Sequence, residues 1–191
     1  KFAKLWPGVL EAFRLIGSEQ IQGRASLGGN LCNGSPAGDS VPALIAAGCK
    51  AVIAGPKGKK NVPIENFHLG PGKTVLENGE MLVSLKFPKR MSNSADAYLR
   101  MTPRTEMDIA VVGCGVNISL ENDTCTHARV SLGAVAPTPL LIEGAPEIMI
   151  GSKLDDDVLD KVSKICMDAC NPINDKRGTV DYRIKVAGVL F

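Results

Sequence analysis

Seventeen residues from Arg24 to Ser40, Arg-Ala-Ser-Leu-Gly-Gly-Asn-Leu-Cys-Asn-Gly-Ser-Pro-Ala-Gly-Asp-Ser, concentrate the groups in this chain best suited to holding a ligand. Four glycines, three serines, two asparagines and one aspartate lie here between two apolar segments. Gly28-Gly29 permits backbone angles that residues with a Cβ avoid, so successive N–H groups can turn toward one point. Such a ring of donors suits a phosphate, whose charge is then met by several short hydrogen bonds. Asp39 stands directly before Ser40-Val-Pro-Ala-Leu-Ile-Ala-Ala, which reads as a helix with a proline near its first turn. A plain Gly/Ser/Asn connection is the competing reading of the same residues.

Other chemistry is poorly supported. Gly72-Lys73-Thr74 suggests a phosphate loop, but the leading glycine that motif needs falls on Phe67. Cys166 and Cys170 share a helix face, yet no second pair or histidine lies near them in sequence, and a structural zinc site wants four ligands. There is no Cys-x-x-Cys run, which argues against an iron–sulfur cluster held by this chain. His68 and His127 are the only histidines, and neither has a serine or cysteine partner that sequence can establish, so a nucleophile triad is unsupported.

The chain of 191 residues is long enough for one good core or two small ones. Its 45% apolar content is ordinary for a globular protein, and no apolar run approaches the ~20 residues a membrane helix needs. Charge is nearly balanced, with 22 basic and 20 acidic side chains, and Lys57 to Lys60 holds the only basic cluster. That cluster reads as a solvated hairpin tip rather than a nucleic-acid patch. Six cysteines without tight pairing suit a reducing compartment, and no signal peptide is visible, so the cytoplasm is the expected location.

The elements that must position the glycine-rich stretch follow from periodicity. Pro7 to Ile16 reads as a helix with Val9, Phe13 and Ile16 on one face and Trp6 as its anchor. Glu19 to Gln22 alternates into the glycine-rich loop. A helix from Asp39 to Gly48 is followed by a strand at Cys49–Ala54, a turn at Gly55-Pro-Lys-Gly and a return strand at Asn61–Ile64. Glu65 to Gly72 is a loop, and Met81, Val83, Leu85 and Phe87 alternate in a strand that stops at Pro88. Arg90 to Ala95 is polar and aperiodic and makes the best domain boundary. Ala97–Thr102, Ile109–Leu120 and Thr126–Val135 then read as three strands, with a turn at Glu121-Asn-Asp. Asp155-Asp-Asp opens a helix whose buried stripe is Val158, Leu159, Val162, Ile165 and Cys166. Asp181 to Phe191 starts a last helix.

Ala-Ser-Leu-Gly-Gly-Asn, then Ser-Pro-Ala-Gly-Asp-Ser, then a helix ending at Gly48, resembles the second FAD-binding segment of the molybdenum hydroxylases, the family of xanthine dehydrogenase and aerobic carbon monoxide dehydrogenase. The similarity continues through Gly70-Pro-Gly-Lys-Thr, Gly79-Glu-Met-Leu-Val-Ser, Asp108-Ile-Ala-Val-Val and Asp181-Tyr-Arg, and so covers nearly the whole chain. The resemblance implies a cofactor, FAD, and places its diphosphate on Ser26, Leu27, Gly28, Gly29 and Asn30. It implies that Asp39 holds the nucleotide half, where the carboxylate can accept from ribose hydroxyls; an N-cap role for the following helix is the alternative. Ile16 and Leu82 match positions that line the flavin. Arg100 falls where related chains carry a lysine near the flavin, which keeps the charge and changes its geometry.

The implied fold is α+β: a mixed-sheet second FAD-binding subdomain over 1–89, then a small domain with a three-stranded antiparallel sheet and helices over 92–191. The implied function is that of the FAD-binding medium subunit of a molybdopterin-dependent enzyme, an oxidoreductase, without its first FAD subdomain. Its partners would be a molybdopterin-binding large subunit and an iron–sulfur small subunit, and the chain itself would supply no acid, base or nucleophile. A free-standing FAD oxidase or reductase and a non-catalytic domain that has lost FAD are the rival readings.

Overall fold

The computed structural model describes residues 2–105 and 107–191. Three short helices lead the chain: α1 (Phe2–Leu5), α2 (Pro7–Arg14) and α3 (Glu19–Gln22). Pro7 opens α2, where its missing N–H is no loss. Val9 and Ala12 are fully buried while Phe13 is only half-buried, so the smaller alanine takes the inner position the sequence pattern gave to the phenylalanine. Helix α3 occupies the residues expected to be extended; a single turn is too short for periodicity to distinguish.

The glycine-rich stretch is not open loop throughout. Leu27–Cys32 forms α4, and α5 (Ser40–Ala46) follows, every residue of it buried. Gly48 ends α5 at φ +67, in the left-handed region where glycine meets no Cβ penalty.

Beyond it β1 (Lys50–Gly55) turns into β2 (Gly58–Pro63), then come β3 (His68–Gly70) and β4 (Lys73–Thr74) as a small hairpin, and β5 (Met81–Lys86). The hairpin lies in a segment read as loop, and Gly72 N–H donates to Gly34 O at 2.9 Å, tying it to the chain after α4. The three-stranded sheet has the order β2-β1-β5, and both pairings are antiparallel where a mixed sheet was expected. The register of β5 slips opposite Val52 and Ile53, leaving Val83 as the extra residue of a bulge. Leu85 and Phe87 pack on the core, but across the bulge the inward residue is Leu82, while Met81 and Val83 are exposed. One bulge therefore breaks the Met81-Val83-Leu85-Phe87 alternation in two.

The second sheet runs β6 (Ser94–Met101), β7 (Val112–Glu121), β8 (Thr124–Gly133) and β9 (Leu140–Leu141), in that spatial order and antiparallel throughout. It has a fourth strand beyond the three expected; two residues leave no pattern to read. The helices α6 (Ala145–Met149), α7 (Asp156–Asp168) and α8 (Val180–Leu190) complete the chain. Asp155 caps α7, its carboxylate accepting from Val158 N–H at 3.1 Å. Val162 and Cys166 are the fully buried part of its stripe, and Leu159 is exposed.

The two faces of β7 differ. Val112, Cys114, Val116 and Ile118 meet the apolar side of α6, α7 and α8. Gly113, Gly115, Asn117 and Ser119 alternate with them, and α5 packs on β7 and β8 from their side. A Cβ on Gly115 would stand 2.7 Å from Pro42 O, and one on Gly133 2.7 Å from Pro42 Cγ, so the two glycines set how closely α5 lies.

Candidate functional site

Ser26 precedes α4 in extended conformation, and its hydroxyl accepts from Gly29 N–H at 3.0 Å. That bond satisfies one of the orphan donors at the helix start. The N–H groups of Leu27 and Gly28 have no protein acceptor among the described residues and remain for a ligand or solvent. Neither Gly28 nor Gly29 has positive φ, so the glycines serve here by lacking a side chain and not by unusual torsions. A Cβ on Gly28 would lie 3.3 Å from Leu82 Cδ2, and one on Gly29 3.1 Å from Ser26 Oγ. The space they leave is a cleft of about 370 Å³ lined by Ser26, Gly28, Gly29, Cys32, Met81 and Leu82, with Glu80 at its side. The Glu80 carboxyl is held below its usual range, chiefly by the Lys60 ammonium 2.8 Å away.

Asn30, on the same helix, turns inward. Its Oδ1 accepts from Ser40 Oγ at 2.7 Å and from Ser40 N–H at 3.3 Å, so it ties α4 to the start of α5. His68 braces α4 from behind: Nε2 lies 2.7 Å from Leu31 O, which assigns it the proton and leaves the buried Nδ1 as a bare acceptor. Burial holds this imidazole below its usual pKa.

Asp39 does not cap α5 with its side chain. Its carboxylate is buried at 8% exposure, with Oδ2 3.0 Å from Arg100 Nη1 and Oδ1 accepting from the Tyr98 hydroxyl at 3.3 Å. Burial raises the Asp39 carboxyl above its ordinary pKa, opposed by Arg100 and Tyr98. Arg100 also donates to Leu15 O at 2.8 Å and forms one wall of a second cleft, about 410 Å³, with Arg14, Leu15, Gly17, Glu19 and Gln22. Ile16 is buried beside that cleft, and its carbonyl accepts from Gln22 Nε2 at 3.2 Å.

The nine residues singled out by sequence thus fall into three groups. Ser26, Gly28, Gly29 and Leu82 line one cleft, with Leu27 opening the helix that bounds it. Asp39 and Arg100 pair with each other, and Arg100 reaches the second cleft. Asn30 and Ile16 are engaged inside the protein. Sequence reasoning missed Tyr98 and Gly113. A Cβ on Gly113 would stand 2.6 Å from the Tyr98 oxygen, so that glycine makes room for the hydroxyl that reaches Asp39. The two-residue period of β6, which puts Asp96, Tyr98 and Arg100 on one face, was the available signal. Among the described residues no group of three His, Cys, Asp or Glu side chains could hold a metal.

Residues 1–90 match the family model for the FAD binding domain in molybdopterin dehydrogenase, and residues 97–191 match that for the CO dehydrogenase flavoprotein C-terminal domain. The chain belongs to the FAD-binding medium-chain family of the CO and xanthine dehydrogenases. Among members of this family, it is 32% identical over 95% of its length to the carbon monoxide dehydrogenase medium chain of Hydrogenophaga pseudoflava, and 32% identical over 93% to a putative xanthine dehydrogenase FAD-binding subunit of Escherichia coli. It spans 63% and 61% of those two relatives. The solved structure of reconstituted CO dehydrogenase from Oligotropha carboxidovorans superposes over 99% of the chain, and 66% of its own, with a TM-score of 0.95 at 30% identity. A quinoline 2-oxidoreductase from Pseudomonas putida shares the fold at 23% identity. Among the described residues no helix is long and apolar enough to cross a membrane.

Proposed function

We propose that the chain works within the FAD-binding, electron-transfer subunit of a molybdopterin-dependent hydroxylase or dehydrogenase. Substrate is oxidised at molybdenum on a large subunit, electrons pass through iron–sulfur clusters on a small subunit, and they leave to an external acceptor by way of the flavin. The family membership supports this reading, and the fit of the α4 cleft to an anionic cofactor carries it. Ser26, Gly28 and Gly29 line one space, giving it a serine cap, an unpaired Gly28 N–H and two positions without side chains, and the unpaired Leu27 N–H lies at the start of the same helix. Such a constellation receives a diphosphate at the helix start, and the Glu80 carboxylate at the side of the cleft is paired with Lys60.

On this reading Ser26, Leu27, Gly28 and Gly29 hold the diphosphate, and Asn30 fixes the angle between α4 and α5. Leu82 and Ile16 give apolar contact. Asp39 and Arg100 act as a pair, the arginine presenting charge to the cofactor and the aspartate keeping it in place. FAD supplies the redox chemistry when bound; the residues here orient it and shape its surroundings. We also assign residues 1–89 to a second FAD subdomain and 92–191 to a C-terminal domain, supported by two core clusters that divide at this boundary apart from Tyr98 and Leu141, which pack with the first. The opposite wall of the FAD site then comes from another FAD subdomain.

Gly28→Val tests the cleft. Its branched side chain would meet Leu82 and fill the space assigned to the diphosphate, so the full-length protein should purify without flavin absorbance while keeping its helix content. Stoichiometric FAD in that variant refutes the assignment. Iron and molybdenum absent from the wild-type protein's native complex would refute the electron path.

A further inference from the structure

A third cavity, of about 240 Å³, lies where α5 meets the β7–β8 sheet, and none of its lining residues belongs to the flavin clefts. Asn117 and Ser119 of β7 and His127 and Arg129 of β8 form one side; Lys89 and Arg90, between β5 and β6, form the other. Asn117 Nδ2 donates to Ala46 O at 3.2 Å, which fixes the amide and leaves the buried Oδ1 without a partner among the described residues. The Ser119 hydroxyl, in a residue only 1% exposed, is likewise unpartnered. Buried polar atoms are rarely left so unless something enters to meet them.

The lining is cationic and holds no carboxylate among the described residues. Arg90 is held in place by Asp96 at 2.6 Å and lies 4.5 Å over the Trp6 ring, and Arg129 is held by Glu65 at 2.9 Å. Around the cavity stand three cations and a hydroxyl that can donate, with Asn117 Oδ1 as the fixed acceptor and the His127 imidazole, held below its usual pKa by burial and Arg129, offering one donor and one acceptor nitrogen. A plain anion satisfies the donors and leaves Asn117 Oδ1 facing a lone pair. An oxyanion that keeps a proton satisfies both.

We propose that this cavity binds inorganic phosphate in a protonated form, its P–OH donating to Asn117 Oδ1 and its other oxygens accepting from Ser119 and the flanking cations. Sulfate has the same shape and no proton at neutral pH, so it should bind at least about tenfold more weakly. Phosphomonoesters lose their last proton near pH 6 and should be rejected above it.

Calorimetric titration of the full chain with phosphate and then sulfate, at pH 7 and matched ionic strength, tests the site. One phosphate per chain is expected, with little heat from sulfate. Ser119→Ala removes a hydroxyl that bonds nothing in the protein, so its melting temperature should hold or rise while phosphate affinity falls about tenfold. Equal affinity for the two anions, or no heat with phosphate, overturns the proposal. So does binding that survives Ser119→Ala or that excess FAD displaces.

Discussion

Arg100→Met separates the two roles that the Asp39 pocket can play. If Asp39 and Arg100 only awaited a ligand, the ligand-free protein would not notice the change. The structure says otherwise: the arginine side chain is 6% exposed, lies 3.0 Å from a carboxylate that is itself buried, and donates to Leu15 O at 2.8 Å. Methionine keeps the aliphatic stem and removes the charge, stranding Asp39 with only the Tyr98 hydroxyl. Breaking a buried pair from one side costs about 3–5 kcal/mol. For a chain of this size that is a fall in melting temperature of roughly 6–20 °C. Denaturant titration of the flavin-free protein measures it directly. Asp39→Asn should also destabilise, because it strands the arginine, and the double variant should lose less than the sum of the two by about 2 kcal/mol. The pH dependence follows from the direction of the Asp39 shift. With Arg100 gone, the raised carboxyl titrates higher still, so the deficit is full above its folded pKa and shrinks as pH falls through it. A change below about 0.5 kcal/mol, or simple additivity, would refute the buried-pair account.

Two further outcomes rest on other buried groups. His68 has a folded pKa below the ordinary 6.5, so its neutral form is favoured in the folded state. Its contribution is complete above that value and is lost as pH falls below it; comparing stability near pH 7.5 and near pH 5.5, His68→Gln should flatten the slope. An unchanged slope would assign the acid sensitivity to His127, whose pKa is lowered by burial and Arg129. Among the thiols, burial pushes Cys49 and Cys166 up to about 12 and Cys170 to about 11. A thiol reagent at mildly alkaline pH should therefore reach half-buried Cys32 first, half-buried Cys170 more slowly because its thiol is pushed higher, and the four buried thiols only on unfolding; rapid native titration of all six would contradict the burial described.

Long periodic elements were readable because their patterns repeat. The 10-residue strands β7 and β8 and the 13-residue α7 fall close to where hydrophobic spacing put them. What escaped was short or aperiodic: the six-residue α4 inside a glycine-rich stretch, the two-residue β9, and the bulge at Val83 that exchanges the faces of β5. The candidate site divided the same way. Residue types and order pointed to Ser26 through Asn30 and to Asp39 and Arg100, but not to their mutual engagement. That Asn30 bonds Ser40 and Asp39 bonds Arg100 depends on contacts across 10 and 61 positions, respectively, which local pattern does not encode. The β6 alternation put Tyr98 on the face of Arg100, but its bond to Asp39, 59 positions away, is likewise absent from local pattern.

Helix α5 is attached to its two neighbours by different forces. Toward the first core it presents Val41, Leu44 and Ile45, all fully buried, so that adhesion is hydrophobic and weakens on cooling. Toward β7 and β8 it meets a face of glycines, asparagine and serine, and is held by close approach and by two side-chain bonds, Asn117 Nδ2 to Ala46 O at 3.2 Å and Arg129 Nε to Ile45 O at 3.0 Å. The junction is also crossed by the Asp39–Arg100 pair at 3.0 Å and the Arg129–Glu65 pair at 2.9 Å, and Tyr98 and Leu141 of the second sheet pack into the first core. The second sheet is therefore attached to α5 by directional contacts at fixed positions, which tolerate little sliding, and the cationic cavity lies along that line.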